Sequence, residues 1–220
     1  MPAPLRIAVL ASGRGSNLAA LLDACERDAL PAQCVLVASD KAGAGALRLA
    51  EATAIPTLVL DPRDYPDRAA FDHDLFAQLA TATPDLLVLA GFMRIIDGGA
   101  LAPWVGRMIN IHPSLLPKYR GLHTHRRALA AGDAEHGASV HFVTAELDGG
   151  PVIAQARLPI HPQDDEESLA TRLLALEHQL LPAVVREIAE GRIALVDHQM
   201  RRDDVPLDAP MQWRDGALHP

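Results

Sequence analysis

Residues Leu5 to Ala11 form a nearly unbroken apolar run, the pattern of a strand buried on both faces. Directly after it, Leu18, Leu21, Leu22 and Cys25 recur at helical spacing. The alternation then repeats. Residues 32–39 read as a strand, the alanine-rich 44–53 as a helix and 56–60 as a strand. Residues 68–81 read as a helix with Phe71, Leu75, Phe76 and Leu79 on one face, and 84–90 as a strand. A short helix over 97–104 and a strand over 107–110 follow. Strands alternating with helices of this length predict a parallel α/β sheet with ligands at the carboxyl ends of its strands.

The pattern changes after residue 110. A helix is expected over 124–130, ending near Gly132. Residues 137–144 alternate with period 2, setting Ser139, His141 and Val143 against Val140, Phe142 and Thr144. A loop with Asp148-Gly149-Gly150 separates them from an apolar run over 152–158, so the pair predicts an antiparallel hairpin. The acidic stretch 164–168 opens a long helix through Leu169, Leu173, Leu176, Glu177 and Leu180. Pro182 is expected to kink or break it before 183–190. A last strand falls at 193–196, and the polar, Pro-rich 201–220 reads as a loose tail. No internal repeat or linker is visible, so one domain over 1–220 is expected, with a first half at about 5–108 and a second at about 109–196.

Composition narrows the class. Hydrophobic residues make up 49% and charged residues 22%, ordinary for a soluble globular chain. A net charge of −8 argues against a general nucleic-acid binder and leaves room for a local basic pocket. Cys25 and Cys34 lack metal-like spacing and read as structural thiols of a reducing compartment. The N-terminal apolar run is too short for a signal peptide and no run is long enough for a membrane span, so a cytoplasmic protein is expected.

Three segments carry candidate chemistry. Ser12-Gly13-Arg14-Gly15-Ser16-Asn17 lies between a strand and a helix, where backbone N–H groups and the helix dipole attract a phosphate. Ser16 or Asn17 is expected to cap the helix. The segment is neither a Walker A loop nor a dinucleotide fingerprint, so a mononucleotide-type phosphate is favoured over a dinucleotide, and the two glycines followed by Ser16-Asn17 favour a phosphate over a plain tight turn. Gly91-Phe92-Met93-Arg94-Ile95-Ile96 is an apolar loop that either packs into the core or lies against a ligand. In Asn110-Ile111-His112-Pro113 a strand presents two polar side chains on one face before proline ends its ladder.

Separately, His112 could be a structural histidine and Asp148 an Asx turn. Together with Asn110 they suit an amine attacking a carbonyl. Asn110 and a protonated His112 would stabilise the oxyanion, and Asp148 would raise the His112 pKa and take up the amine proton. No candidate covalent nucleophile is present. His123, His125, His136 and His141 raise the question of a metal, but His-x-His without a third paired ligand favours solvated or capping roles, and no metal is expected.

Residues 12–17, Ala90 to Ile95, Asn110 to Pro117 and Leu147 to Pro151 resemble the phosphoribosylglycinamide formyltransferases of purine biosynthesis. Order and spacing match from about residue 5 to about residue 195. The resemblance implies a Rossmann-like formyltransferase fold, with a mostly parallel sheet flanked by helices. It implies transfer of the formyl group of 10-formyltetrahydrofolate, the co-substrate, to the amine of glycinamide ribonucleotide. Asn110, His112 and Asp148 match the catalytic residues. Gly15, Ser16 and Asn17 match the substrate-phosphate loop, and Glu177 a position that holds the ribonucleotide. Arg68, Met93, Arg94, Ile95 and Ile96, together with Asn110, match the folate site. Position 120 varies within the family. A homodimer is compatible with this reading; nucleic acid and membrane partners are not expected.

Two related enzymes are the alternatives. Methionyl-tRNA formyltransferase carries a similar Ser-Leu-Leu-Pro-x-x-Arg-Gly run, which Arg120-Gly121 fits, and an additional C-terminal domain for tRNA; formyltetrahydrofolate hydrolase carries an extra N-terminal domain. The length of the chain and its phosphate loop favour the ribonucleotide acceptor. A non-catalytic nucleotide-binding module would keep the phosphate loop without needing Asn110, His112 and Asp148 together.

Overall fold

Four consecutive residues of β1 (Leu5–Leu10), Ile7 to Leu10, have no solvent exposure. A strand without a polar face needs cover on both sides, and helices supply it. The computed structural model describes residues 3–197 and 199–220. Met1 and Pro2, which begin the segment weighed as a signal peptide, and His198 lie outside the described residues. The chain packs as two compact units, Met1–Asn110 and Ile111–Pro220.

The first unit continues with α1 (Ser16–Arg27), β2 (Ala32–Ser39), α2 (Gly45–Ala52) and β3 (Thr57–Val59). It is completed by α3 (Arg68–Thr81), β4 (Leu86–Leu89), α4 (Gly98–Leu101) and β5 (Met108–His112), the last of which runs on past Asn110. Its strands lie in the order β5-β4-β1-β2-β3, and every neighbouring pair is parallel. Leu18 and Leu21 of α1 and Phe71, Leu75 and Leu79 of α3 are fully buried, as their spacing predicts. Asp67 caps α3 by accepting from the Ala70 N–H. Because β1 and β4 run parallel, the segments after them, 12–17 and 91–96, emerge at the same edge.

The second unit holds α5 (Thr124–Ala131), β6 (Glu135–Phe142), β7 (Val152–Pro159) and α6 (Glu166–Ala189). Then come β8 (Ile193–Val196), β9 (Gln199–Arg202), β10 (Val205–Pro206), β11 (Met211–Arg214) and β12 (Ala217–His219). β6 and β7 form the expected antiparallel hairpin. β11 joins β7 in parallel and β12 closes that side, while β8, β9 and β10 make a separate antiparallel sheet.

Two expectations for this half are corrected. Pro182 neither breaks the helix nor ends it: α6 is continuous for 24 residues. An interior proline costs about 3 kcal/mol. Leu180, Leu181, Val184 and Val185, on either side of it, are fully buried, at about 1.5–3 kcal/mol each. The packing therefore outweighs the missing N–H. The segment 201–220 is not a loose tail. Met211 to Trp213 pair with Ala154 to Ala156, closing an edge of β7 that would otherwise be open, and Met211 is fully buried. Among the described residues no helix is long and apolar enough to cross a membrane.

Candidate active site

In the first unit the candidate residues fall on two adjoining loops. α1 begins at Ser16, and its N-cap is Gly15, in the left-handed region at φ 83. Neither Ser16 nor Asn17 caps the helix, contrary to expectation. A cap residue needs extended backbone and a side chain aimed at the first turn, and Gly15 takes that place with neither. The helix start thus carries no side-chain cap and no acidic residue. Gly15 is held there by crowding: a Cβ would lie 2.7 Å from the Ala46 Cα.

Ser12 ties this loop to the next. Its hydroxyl donates to Asp40 at 2.6 Å and accepts the Met93 N–H at 2.9 Å, while its own N–H donates to the Gly91 carbonyl. The loop over 91–96 packs into the core through two of its residues and leaves two others open to solvent. Phe92 and Ile96 are buried, whereas Met93 and Ile95 are 65% and 54% exposed. Arg94 lies 4.4 Å over the Phe71 ring. Between Arg94 and Arg68 sits Asp72, fully buried, which accepts the Asp97 N–H at 2.7 Å. Burial raises the Asp72 pKa, against the lowering effect of that N–H and the two guanidinium groups.

In the second unit three side chains converge. His112 Nδ1 is 3.5 Å from Asp148 Oδ2, and His141 Nε2 is 3.6 Å from Asp148 Oδ1. Gly121 N–H donates to Asp148 Oδ2 at 2.8 Å. The remaining ring nitrogens face backbone carbonyls, His112 Nε2 that of Tyr119 at 3.0 Å and His141 Nδ1 that of Phe142 at 2.9 Å. A carbonyl only accepts, so those two nitrogens carry hydrogen. His112 Nδ1, turned toward Asp148, is then the nitrogen of that ring that takes a second proton.

Burial pushes the His112 pKa below its ordinary value. The Asp148 charge and the Tyr119 carbonyl push it up, as expected for Asp148, but do not fully offset burial. Burial would also raise Asp148. A hydrogen bond from His141, the charge of His112 and the Gly121 N–H overcome it and hold the carboxyl at about 2. The two shifts point to different charge states for the pair. Burial of the imidazole decides in favour of an ionised Asp148 beside a neutral His112, and the Gly121 N–H bond to the carboxylate holds whatever the charge on His112.

Spacing on β6 explains why these groups meet. Gly137, Ser139 and His141 share one face at period 2. Gly137 leaves room for the loop after β5, since a Cβ there would lie 2.4 Å from Leu115 Cδ2. Ser139 donates to the Ser114 carbonyl at 2.7 Å and accepts the Leu116 N–H at 3.1 Å. Gln155, opposite Ser139 on β7, donates to the Leu116 carbonyl at 2.9 Å and to the Ser139 hydroxyl at 3.0 Å. Asp148 is left-handed at φ 46, a conformation Asp tolerates. A Cβ on Gly150 would lie 1.9 Å from the Phe142 carbonyl oxygen.

Sequence reasoning missed Ser139 and Gln155 as supports and left His141 without a role. The period-2 pattern over 137–144 was the signal that could have placed Ser139 and His141 toward the loop. Asn110 lies two residues before His112 on β5, half-buried, on the same strand face. Glu177 is buried on α6 at 9% exposure, away from these loops in sequence. Among the described residues no group of three His, Cys, Asp or Glu is placed to hold a metal ion. His123 is the left-handed N-cap of α5, and His125 pairs with His136 at 3.1 Å.

The family described as formyl transferase matches residues 5–185. The phosphoribosylglycinamide formyltransferase of Escherichia coli (strain K12) is 47% identical over 191 residues, covering 87% of this chain and 90% of that protein. The trifunctional purine biosynthetic protein adenosine-3 of Homo sapiens is 40% identical over 190 residues, 86% of this chain but 19% of that protein. The structure of the phosphoribosylglycinamide formyltransferase of Coxiella burnetii is similar with a TM-score of 0.89 at 48% identity, covering 93% of this chain and 96% of that one.

Proposed function

The chain belongs to the formyl transferase family, and we infer that it is a phosphoribosylglycinamide formyltransferase, moving a formyl group from 10-formyltetrahydrofolate to the amine of glycinamide ribonucleotide. The observation that carries the reading is Asp148 held between His112 and His141, with Asn110 two residues ahead of His112.

10-Formyltetrahydrofolate supplies the formyl carbon as the electrophile. Asn110 donates its amide N–H toward the formyl oxygen, where negative charge develops as the amine attacks. His112 turns its Nε2–H from the Tyr119 carbonyl toward the same oxygen. In the resting protein burial keeps His112 neutral. A developing negative charge next to the ring shifts that balance toward imidazolium, and Asp148 stabilises the added charge from Nδ1. Asp148, held ionised with a pKa of about 2, is also the acceptor for the proton that the attacking amine sheds; as the carbonyl re-forms, the bond from the formyl carbon to the folate nitrogen breaks and that nitrogen takes up the proton, releasing tetrahydrofolate. The 3.5 Å spacing is long for a hydrogen bond, as is common before substrate binds.

The ligand roles follow from the loops. Gly15, Ser16 and Asn17 at the uncapped start of α1 suit the substrate phosphate. Glu177, which lies on α6 and not on a loop, is assigned to the ribonucleotide by the resemblance of its position alone. Exposed Met93 and Ile95 offer apolar contact to the folate ring system beside Arg94 and Ile96 of the same loop, and Arg68 offers its cation to the folate's anionic end.

The test is a formyl-transfer assay with 10-formyltetrahydrofolate and three acceptors in parallel: glycinamide ribonucleotide, methionyl-tRNA and water. Formylated ribonucleotide is expected, with and without chelator. Turnover with water alone would sink the transferase reading.

A further inference from the structure

Two segments of the second unit are joined twice beside Asp148. One link is the Gly121 N–H to Asp148 Oδ2. The other lies one residue earlier on the first segment and two earlier on the second, where the Arg120 guanidinium pairs with the Glu146 carboxylate. We infer that the Arg120–Glu146 ion pair is a latch that positions Asp148 for formyl transfer. This rests on the reaction proposed above. Arg120 and Glu146 reach no reacting group, so both are positioning residues.

Each partner is itself anchored. The Arg120 carbonyl accepts from Arg127 Nη1 at 2.6 Å, and the Arg127 guanidinium lies 5.1 Å over the Tyr119 ring. The Glu146 carbonyl accepts the Gly149 N–H at 3.1 Å. The Glu146 side chain folds over Gly149, where a Cβ would lie 2.4 Å from its carboxyl carbon. Gly149 therefore leaves open the path by which Glu146 reaches Arg120.

An exposed ion pair contributes little to global stability, and this one is 38% and 65% exposed. Its leverage is local. Asp148 lies on a short loop in left-handed backbone, and the hydrogen bond that aims it comes from the residue after Arg120. With the ion pair formed, the Gly121–Asp148 bond closes between segments already in register, so less chain entropy opposes it. Without it, Asp148 gains freedom to leave Gly121 and with it the 3.5 Å approach to His112.

The test combines Arg120→Ala, Glu146→Ala and the charge-exchanged double variant Arg120→Glu with Glu146→Arg. Each single variant is expected to lower kcat about threefold to fivefold, the size an exposed pair can supply. The ribonucleotide KM should stay within about twofold of wild type. The double variant should recover most of the lost kcat. Hydrogen exchange at the Gly121 amide should speed up in each single variant and slow again in the double. Unchanged Gly121 exchange in the single variants overturns the latch. So does unchanged kcat, or a loss that the double variant fails to reverse. The exchange measurement needs no turnover. Were the wild-type protein inactive in formyl transfer, the proposed reaction would fall while exchange alone decided the latch.

Discussion

In the first unit the loop over 12–17 owes its shape to what its residues lack. Gly15 has no side chain, and α1 has no side-chain cap and no first-turn acid. In the proposed reaction, what the loop offers the substrate phosphate is backbone between β1 and α1. In the second unit the loops owe their shape to side chains. Ser139 and Gln155 hold the segment after β5, and His141, His112 and Gly121 hold Asp148. Nine of the ten histidines in the sequence lie after residue 110. The difference teaches where each function is vulnerable. An anion site made of backbone tolerates side-chain change and fails when backbone geometry is altered. A proton-handling site fails when one side chain is removed, even if the fold stands.

The strongest way to break this contrast is His112→Ala. Loss of a preorganised donor at a developing oxyanion costs about 3–4 kcal/mol, so kcat should fall by about 100- to 1000-fold. The loop over 12–17 lies in the other unit, and ribonucleotide binding by calorimetry should stay near wild type. Loss of folding or of ribonucleotide binding in this variant would make His112 a structural residue and erase the contrast.

The same contrast explains what could be read from the chain. Runs such as Leu5 to Ala11 and the face of Phe71, Leu75 and Leu79 announce their elements, because burial on both faces or on one stripe leaves a periodic trace. The polar groups were legible as candidates, because His112 ends β5 with Asn110 two residues before it and Asp148 stands beside two glycines in the loop between β6 and β7. What holds them was not. Ser139 and Gln155 face each other across β6 and β7, and only the register of the hairpin reveals that. The continuity of α6 through Pro182 is a packing result, invisible to local preference. β11 and β12 span four and three residues, too short for a periodic signal, and form because β7 has an edge to pair.

A second prediction concerns pH and again divides the units. His136 is fully buried. Burial, first, then the charges of His125 and His112 push its pKa down to about 4, with Asp133 opposing. An unfolded imidazole titrates near 6.5. Between these values the unfolded chain binds the extra proton and the folded one does not, so stability falls as pH drops from about 6.5 toward 4. The part of the loss due to His136 by pH 5 should be about 2 kcal/mol, read as the difference between wild type and His136→Gln in denaturant unfolding at pH 7 and pH 5. Asp148, held at about 2, adds its own loss only below its ordinary value of 3.8. His136→Gln should flatten the slope between pH 7 and pH 5. An equally steep slope in that variant would assign the acid sensitivity elsewhere.

The smallest effect separates two glycines of one loop. Gly15→Ala forces an L side chain into left-handed backbone at φ 83, at about 1–2 kcal/mol, and brings its Cβ to 2.7 Å from the Ala46 Cα. The neighbour is backbone, so the loop itself must move. The ribonucleotide KM should rise about tenfold or more while kcat at saturation changes little, because no proton-handling side chain is disturbed. Gly13→Ala is the control for stability. A Cβ there meets nothing within 4 Å, and its φ is not in the left-handed region. Thermal unfolding should therefore separate the two variants, with Gly13→Ala near wild type and Gly15→Ala below it. Equal melting temperatures would mean that the backbone at Gly15 yields without strain, and that the first unit's loop is as adaptable as a side-chain site.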